Sequence, residues 1–256
     1  MMPNPAIDRV VGAGWPALVF ALIAGNAPAA ELAASLDWSG RVSLTLPVAG
    51  VLEQVNVQAG QTVKKDELLA ALNPTLYKAG VVEARADLDR LTQEEADATR
   101  DLDRVKELYA RTVSSTTELD AAKLRHARAQ AGLAAAQARV EKARRLLAES
   151  ELRAPFDAII LARHGEPGLV ITIPCQPAAV VSIARADEWL ARAPVDAAQA
   201  TNLRLGEEAG VQIAGQTVKG RIRALTAQPE GRVLLEVALP RAAGTWAGQA
   251  ASIRLP

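Results

Sequence analysis

Few residues in this 256-residue chain are of the types that bond-making chemistry needs. There is one cysteine, Cys175, and there are two histidines, His126 and His164. A metal site needs three or four converging ligands, and neither histidine has another His, a Cys or a carboxylate at ligand spacing. His126 falls on the apolar stripe of a predicted helix and reads as a partly buried core residue near Asp103, while His164 stands beside a turn. Cys175, flanked by Pro174 and Pro177, reads as a small semi-buried side chain, and a lone cysteine excludes an internal disulfide framework. No nucleophile motif, Gly-rich phosphate loop or paired acid–base constellation is present. The chain reads as non-catalytic, with no metal and no cofactor.

Charge narrows the class further. Lys plus Arg and Asp plus Glu number 29 each, so the net charge is zero and the basic field that a general nucleic-acid binder needs is missing. Aromatic residues are only 3% of the chain, so its core must be built from Val, Leu, Ile and Ala.

The dominant element runs from 76 to 150. From Leu119 an apolar or small residue recurs at alternating steps of three and four: Leu119, Ala122, His126, Ala129, Leu133, Ala136, Val140, Ala143, Leu147. That is a heptad stripe. Alanine occupies one of its core positions four times running, which lets a partner helix approach closely. The preceding segment carries a matching stripe, Val81, Ala84, Leu88, Leu91, Glu95, Ala98, Leu102, Val105 and Tyr109, interrupted only by Glu95. Between them the run 112–117 is rich in Ser and Thr, which favour turns and caps over helix interiors. Thr116 or Thr117 is the expected cap of the second helix, with Glu118 and Asp120 favouring its dipole. A connection this short makes the helices antiparallel neighbours, each ~50 Å long at 1.5 Å per residue. The first arm carries seven basic and nine acidic residues over 76–112, the second seven and four over 117–150, so their flanks attract.

On either side lie short strands with Gly and Pro turns. Arg41–Leu46 alternates at period two, and 51–57 and 59–72 follow, before Asn73-Pro74 starts the helix. Beyond the hairpin, 152–161, 165–171 and 178–183 repeat the same grammar, as if the helices were inserted into one small β unit. At the N-terminus Arg9, the apolar run Trp15–Ala24 and the small residues 26–30 read as a secretory signal peptide cleaved after Ala29 or Ala30. The run is too short for a bilayer span, though an uncleaved anchor is the alternative reading.

The stretch Gly50-Val-Leu-x-x-Val-x-Val-x-x-Gly60-x-x-Val63-Lys-x-x-x-Leu68-Leu-Ala-x-Leu72 resembles the first half of a biotinyl/lipoyl-like domain. Leu152-Arg-Ala-Pro-Phe-Asp157 resembles the opening of its second half. A lipoyl-like domain split by a helical hairpin is similar to HlyD-type membrane fusion proteins, the periplasmic adaptors of tripartite efflux pumps. The resemblance implies an elongated α+β fold: a lipoyl-like barrel-sandwich hybrid in two halves (40–75 and 151–184), a coiled-coil hairpin (76–150), and a small antiparallel β-barrel (31–39 and 185–256), after a signal peptide (1–30). Five or six short strands from Leu190 to Leu255 fit the barrel. Three departures stand out: Ala158 where the family has Gly, the run Pro174-Cys-Gln-Pro177, and an end at Pro256 where longer members carry a membrane-proximal domain.

What the resemblance implies about partners is specific. They are an inner-membrane transporter (of the proton-driven RND type in preference to the ATP-driven ABC type), an outer-membrane TolC-type channel, and other copies of the chain, six to a ring, in the periplasm against the inner membrane. Near the hairpin tip Arg104, Leu108 and Ser115 match Arg-x-x-x-Leu-x-x-x-x-x-x-Ser, the spacing that in this family marks docking on such a channel. With Val105 and Tyr109 on the seam, Arg104 and Leu108 share one flank and point away from the internal partner. The same resemblance raises two other readings, a biotin or lipoate carrier using Lys64 or Lys65, and a periplasmic coiled-coil protein with no transporter. In carriers the modified lysine occupies the tip where this hairpin is spliced in, which leaves Lys64 and Lys65 as solvated surface residues.

Overall fold

The computed structural model describes residues 31–172 and 178–255. The expected signal peptide and the Pro174–Pro177 run with Cys175 lie outside the described residues. In chain order the elements are β1 (Glu31–Trp38), β2 (Val42–Leu44), β3 (Gly50–Val55), β4 (Thr62–Val63), β5 (Leu68–Leu72), α1 (Thr75–Ala110), α2 (Thr116–Glu149), β6 (Glu151–Arg153), β7 (Ala158–Arg163) and β8 (Val170–Ile171). They continue as β9 (Val181–Arg185), β10 (Glu188–Asp196), the short α3 (Ala197–Ala200), β11 (Glu208–Ile213), β12 (Gln216–Ala227), β13 (Arg232–Pro240) and β14 (Ala250–Arg254). This is the elongated α+β architecture expected of the sequence, a split β-sandwich, a long helical hairpin and a closed β-barrel.

The two helices run 36 and 34 residues, ~50 Å each at 1.5 Å per residue. The heptad stripes face each other. Val81, Leu91 and Leu102 of α1 are buried, as are Ala122, Ala129, Ala136 and Val140 of α2. Ala122 and Ala136 are at most 1% exposed, so the helices meet at methyl groups and leave no room for larger side chains. Ion pairs cross the flank from acidic α1 to basic α2: Asp87 with Arg139 at 2.6 Å and Asp101 with Arg125 at 2.9 Å. The two pairs lie two heptads apart on both helices, so both report one antiparallel register. Ion pairs this open to solvent are screened and contribute little, while burial of each large aliphatic side chain contributes roughly 1.5–3 kcal/mol. Packing therefore stabilises the hairpin, and charge selects its alignment.

Two expectations need correction. The cap of α2 is Ser115, not Thr116 or Thr117, because its hydroxyl reaches the Glu118 N–H while its backbone stays extended. His126 faces Glu95 rather than Asp103, with Nε2 3.5 Å from Oε1. Glu95 also accepts from the Thr99 hydroxyl at 3.0 Å. The two polar interruptions, one in each stripe, thus meet inside the seam.

The hairpin leaves β5 and returns into β6, and these two strands pair with each other, Ala70 opposite Leu152 and Ala71 opposite Glu151. They belong to the sheet β6-β5-β3-β8, which packs on the sheet β2-β9-β7-β4 around Leu52, Leu69, Leu72, Ile160 and Ile183. Ala158, one of the departures, is fully buried in this core. Asp157 ties the two halves together by accepting the Lys65 N–H at 2.9 Å and the Lys64 ammonium at 3.1 Å.

The remaining strands close a barrel in the order β1-β10-β13-β12-β11-β14, so the first described strand fills the gap between the later ones. Its core includes Leu36, Trp189, Leu235, Val237 and Ile253. A Cβ at Gly220 would come within 2.6 Å of the Val237 side chain and 2.8 Å of the Ala238 carbonyl, which explains a glycine inside a strand. At the end facing the sandwich, Trp38 and Trp189 stack at 4.4 Å with Arg241 over both rings. Nearby, the buried Ser39 accepts from Arg223 at 2.8 Å and donates to Glu188, both barrel residues, while its carbonyl accepts the Arg185 N–H of β9 at 2.9 Å.

The alanine seam makes a direct prediction. Ala136→Leu forces the helices apart and destabilises the hairpin by about 1–3 kcal/mol, the ordinary cost of overpacking. Urea unfolding followed by far-UV circular dichroism measures it.

Candidate docking site

The tip is held by two caps placed back to back. At the end of α1 the Val113 N–H donates to the Leu108 carbonyl and the Thr112 N–H to the Tyr109 carbonyl, both at 2.9 Å. This is the Schellman arrangement, with Thr112 in the left-handed position at φ 58°. At the start of α2 the Ser115 hydroxyl accepts the Glu118 N–H at 3.2 Å, and the Glu118 carboxylate accepts the Ser115 N–H at 2.8 Å, a complete capping box. The Ser114 hydroxyl donates to the same carboxylate at 2.6 Å. The five connecting residues 111–115 are therefore fixed at the α1 end by main-chain bonds and at the α2 end by the Ser115 and Glu118 side chains.

Arg104, Leu108 and Ser115 stand at this capped end. Arg104 is 72% exposed along its side chain and donates to Asp101, which also receives Arg125 across the hairpin. Bonding to Arg104 and the nearby Arg125 charge hold the Asp101 carboxyl below its ordinary value. Leu108 is 38% exposed and falls on the flank position that Asp87, Glu94 and Asp101 occupy in the preceding heptads. An apolar residue replaces acids only in the heptad next to the tip. Ser115 is exposed, but its oxygen is engaged in the cap. The structure thus brings the three residues to one end of one element and gives the serine a local structural duty as well.

Sequence reasoning missed two tip residues. Thr112 adopts a conformation in which a β-branched residue is an outlier, and no glycine signals it. Val113 is 72% exposed, among the most exposed large apolar side chains described. The Ser/Thr-rich turn signal locates the loop but carries no information on which residue turns left-handed.

Elsewhere the groups with chemical potential are engaged in local contacts. His164 Nε2 lies 2.9 Å from the Ser182 hydroxyl on the outer face of β7 and β9. Lys64 is exposed and paired with Asp157, whose carboxyl is held below its ordinary value by the Lys65 N–H and by Lys64. Among the described residues no three His, Cys, Asp or Glu side chains cluster as metal ligands. No described helix is long and apolar enough to cross a membrane.

A split sandwich, an inserted hairpin and an appended barrel define the membrane-fusion-protein class of architecture. Residues 41–184 match the family model of the CzcB-like barrel-sandwich hybrid domain. The chain belongs to the HlyD-type membrane fusion protein family. It is similar to the multidrug resistance protein MdtA of Escherichia coli, 32% identical over 127 residues that cover 50% of this chain and 31% of that protein. It is also similar to the cobalt-zinc-cadmium resistance protein CzcB of Cupriavidus metallidurans, 29% identical over 178 residues, 67% of this chain and 33% of that one. The chain spans less than half the length of the curated relatives it matches. In fold it matches the membrane fusion protein Spr0693 of Streptococcus pneumoniae, with a TM-score of 0.67 over 89% of this chain and 98% of that one at 12% identity.

The two caps respond differently to perturbation. Thr112→Gly removes the left-handed strain and raises hairpin stability by up to about 1 kcal/mol, the gain being reduced by glycine's freedom in the unfolded chain. Thermal unfolding reads it. Glu118 is held below its ordinary 4.5 by the Ser114 hydroxyl first, then by the Ser115 N–H and hydroxyl. With its folded value depressed, the box contributes fully above the unfolded value and is lost as pH falls through the folded one. A carbon-detected NMR titration should place the Glu118 midpoint below 4.5 and move it back upward in Ser114→Ala.

Proposed function

We propose that this protein is a periplasmic adaptor that links an inner-membrane transporter to an outer-membrane TolC-type channel. The observation that carries the proposal is the tip: a partly exposed leucine and an exposed arginine, on a doubly capped turn ~50 Å of helix away from the β units. The Schellman turn favours apolar residues at its C3 and C″ positions, Leu108 and Val113, but does not account for their remaining exposed. A docking role explains it.

In this reading the sandwich and barrel of neighbouring copies pack side by side into a ring of six, and the hairpins reach outward to the channel. The acidic flank of α1 and the basic flank of α2 favour a side-by-side arrangement in which unlike flanks meet. The inner-membrane partner is a transporter, of the RND type before the ABC type. The resistance roles in the names of MdtA and CzcB support an export system. The mechanism is assembly and sealing, with no bond-making step in this chain.

Leu108→Asp or Arg104→Asp should abolish cross-linking of the adaptor to the channel in cell envelopes while far-UV circular dichroism shows the helices intact. Ser115→Asn, which preserves an N-cap acceptor, separates docking from capping: cross-linking falls if the hydroxyl contacts the channel and stays if Ser115 only caps. Undiminished cross-linking in both Leu108→Asp and Arg104→Asp refutes the docking assignment.

A further inference from the structure

Where barrel meets sandwich there is a cleft of about 500 Å³. Trp38 and Arg41, at and just beyond the end of β1, line one side of it, and β7 with Ser182 of β9 lines the other. Ile159 makes the floor. It pairs with Ala184 across the β7–β9 ladder, and neither residue belongs to the sandwich core, yet Ile159 is only 8% exposed and Ala184 is fully buried. Leu161 follows at a bulge, where the register slips between Ile160 and Ala162, an irregularity of the kind that re-aims a side chain. The main chain here is already satisfied: the Gly60 N–H donates to the Ile160 carbonyl at 2.8 Å and the Ile160 N–H to the Gln61 carbonyl at 2.9 Å. The floor therefore offers apolar surface. Trp38 is held in place by its stack on the buried Trp189, so its ring is positioned before anything binds.

The polar side chains of the cleft are of one kind. Arg41 is 58% exposed along its side chain and uses one N–H on Asp37 at 2.8 Å. Asp37 is shared with Arg192, and the other guanidinium donors of Arg41 remain available. His164, exposed, is held by the Ser182 hydroxyl 2.9 Å from its Nε2. The lining carries these two bases and no carboxylate. Other grooves of the molecule answer their own charges. On the barrel Asp187, Glu188 and Glu208 stand beside Lys219 and Arg221, and near the foot of the hairpin Glu83 and Asp87 face Arg139 and Lys142. An apolar floor, a fixed indole and bases without an acid are complementary to a ligand with a flat apolar body and a negative group.

We infer that this cleft binds a flat apolar carboxylate, its ring against Trp38 and Ile159 and its carboxylate on Arg41 and His164. Charge-assisted hydrogen bonds from the guanidinium orient the ligand, and the walls supply its burial. Trp38 belongs to the barrel and Ile159 to the sandwich, so the ligand touches both β units and stabilises the arrangement in which they face each other. The hairpin takes no part, and the inference stands apart from the docking reading.

The test is isothermal titration of the full-length chain with naphthoate and, alongside, with its neutral isostere naphthamide. Naphthoate should bind one to a chain, and naphthamide at least fivefold more weakly. Arg41→Gln should weaken naphthoate at least fivefold and leave naphthamide unchanged. Leu161→Asp, which sets a carboxylate beside the apolar floor, should weaken naphthoate at least tenfold. Arg221→Gln, in the barrel groove, should bind both probes as the wild type does. Absence of saturable naphthoate binding, equal affinity for the two probes, or wild-type affinity in Arg41→Gln or Leu161→Asp overturns the inference. So does an equal loss in Arg221→Gln, since charge would then act through the field of the whole barrel and not in the cleft. The two probes are compared on the wild-type chain, so that comparison decides even where a variant fails to fold.

Discussion

The pairing of β5 with β6 is the constraint on which the rest of the molecule depends. The strand that feeds α1 and the strand that receives α2 are hydrogen-bonded neighbours, and the Leu72 N–H donates to the Ser150 carbonyl at the foot of the hairpin. Two helices launched from adjacent strands must begin side by side, so their heptad stripes meet from the first turn. The same pairing completes one sheet of the sandwich, whose core collects residues from both sides of the insertion. A fault at β5–β6 would therefore be felt in the sandwich and, through leverage over ~50 Å, at the tip.

Along the hairpin, stability and alignment come from different residues. Alanines and scattered Leu and Val give burial but could slide by a heptad, because an alanine stripe looks the same seven residues on. The pairs Asp87–Arg139 and Asp101–Arg125, and the meeting of His126 with Glu95, cannot be satisfied after such a slide. Polar residues of modest energetic value thus place the tip residues at a defined height, as single polar core positions do in other coiled coils. The docking surface proposed for residues 104–115 depends on that height.

The end of the arm is built to be stiff. Residues 111–115 have no glycine; α1 ends in a main-chain Schellman cap with a threonine in a left-handed conformation, and α2 begins in a capping box made by the Ser115 and Glu118 side chains. A pre-formed turn loses less entropy on binding than a floppy one, which raises affinity without any added contact. At the other end Ser39, which follows β1, is held to the barrel by Glu188 and Arg223 and accepts the N–H of Arg185 at the end of β9 on its carbonyl, so one residue is bonded to both β units.

The sequence alone determined everything that repeats at short range. Heptad spacing is local, so both stripes, the alanine positions and the antiparallel turn could be read directly, as could the flank shared by Arg104 and Leu108. The half-motifs at Gly50–Leu72 and Leu152–Asp157 made the insertion legible. Facts that join distant residues were decided by the tertiary structure. Which residue faces His126 depends on helix register, and Glu95 replaces Asp103 once that register is set by pairs two heptads apart. Closure of the barrel depends on β1 lying between β10 and β14, far from both in the chain. The caps fall between these cases: Ser115 and Glu118 are a readable capping box, but the left turn at Thr112 is imposed by the Schellman bonds, because threonine has no intrinsic preference for it. Periodicity survives in one dimension; register, closure and a forced backbone exist only when the chain meets itself.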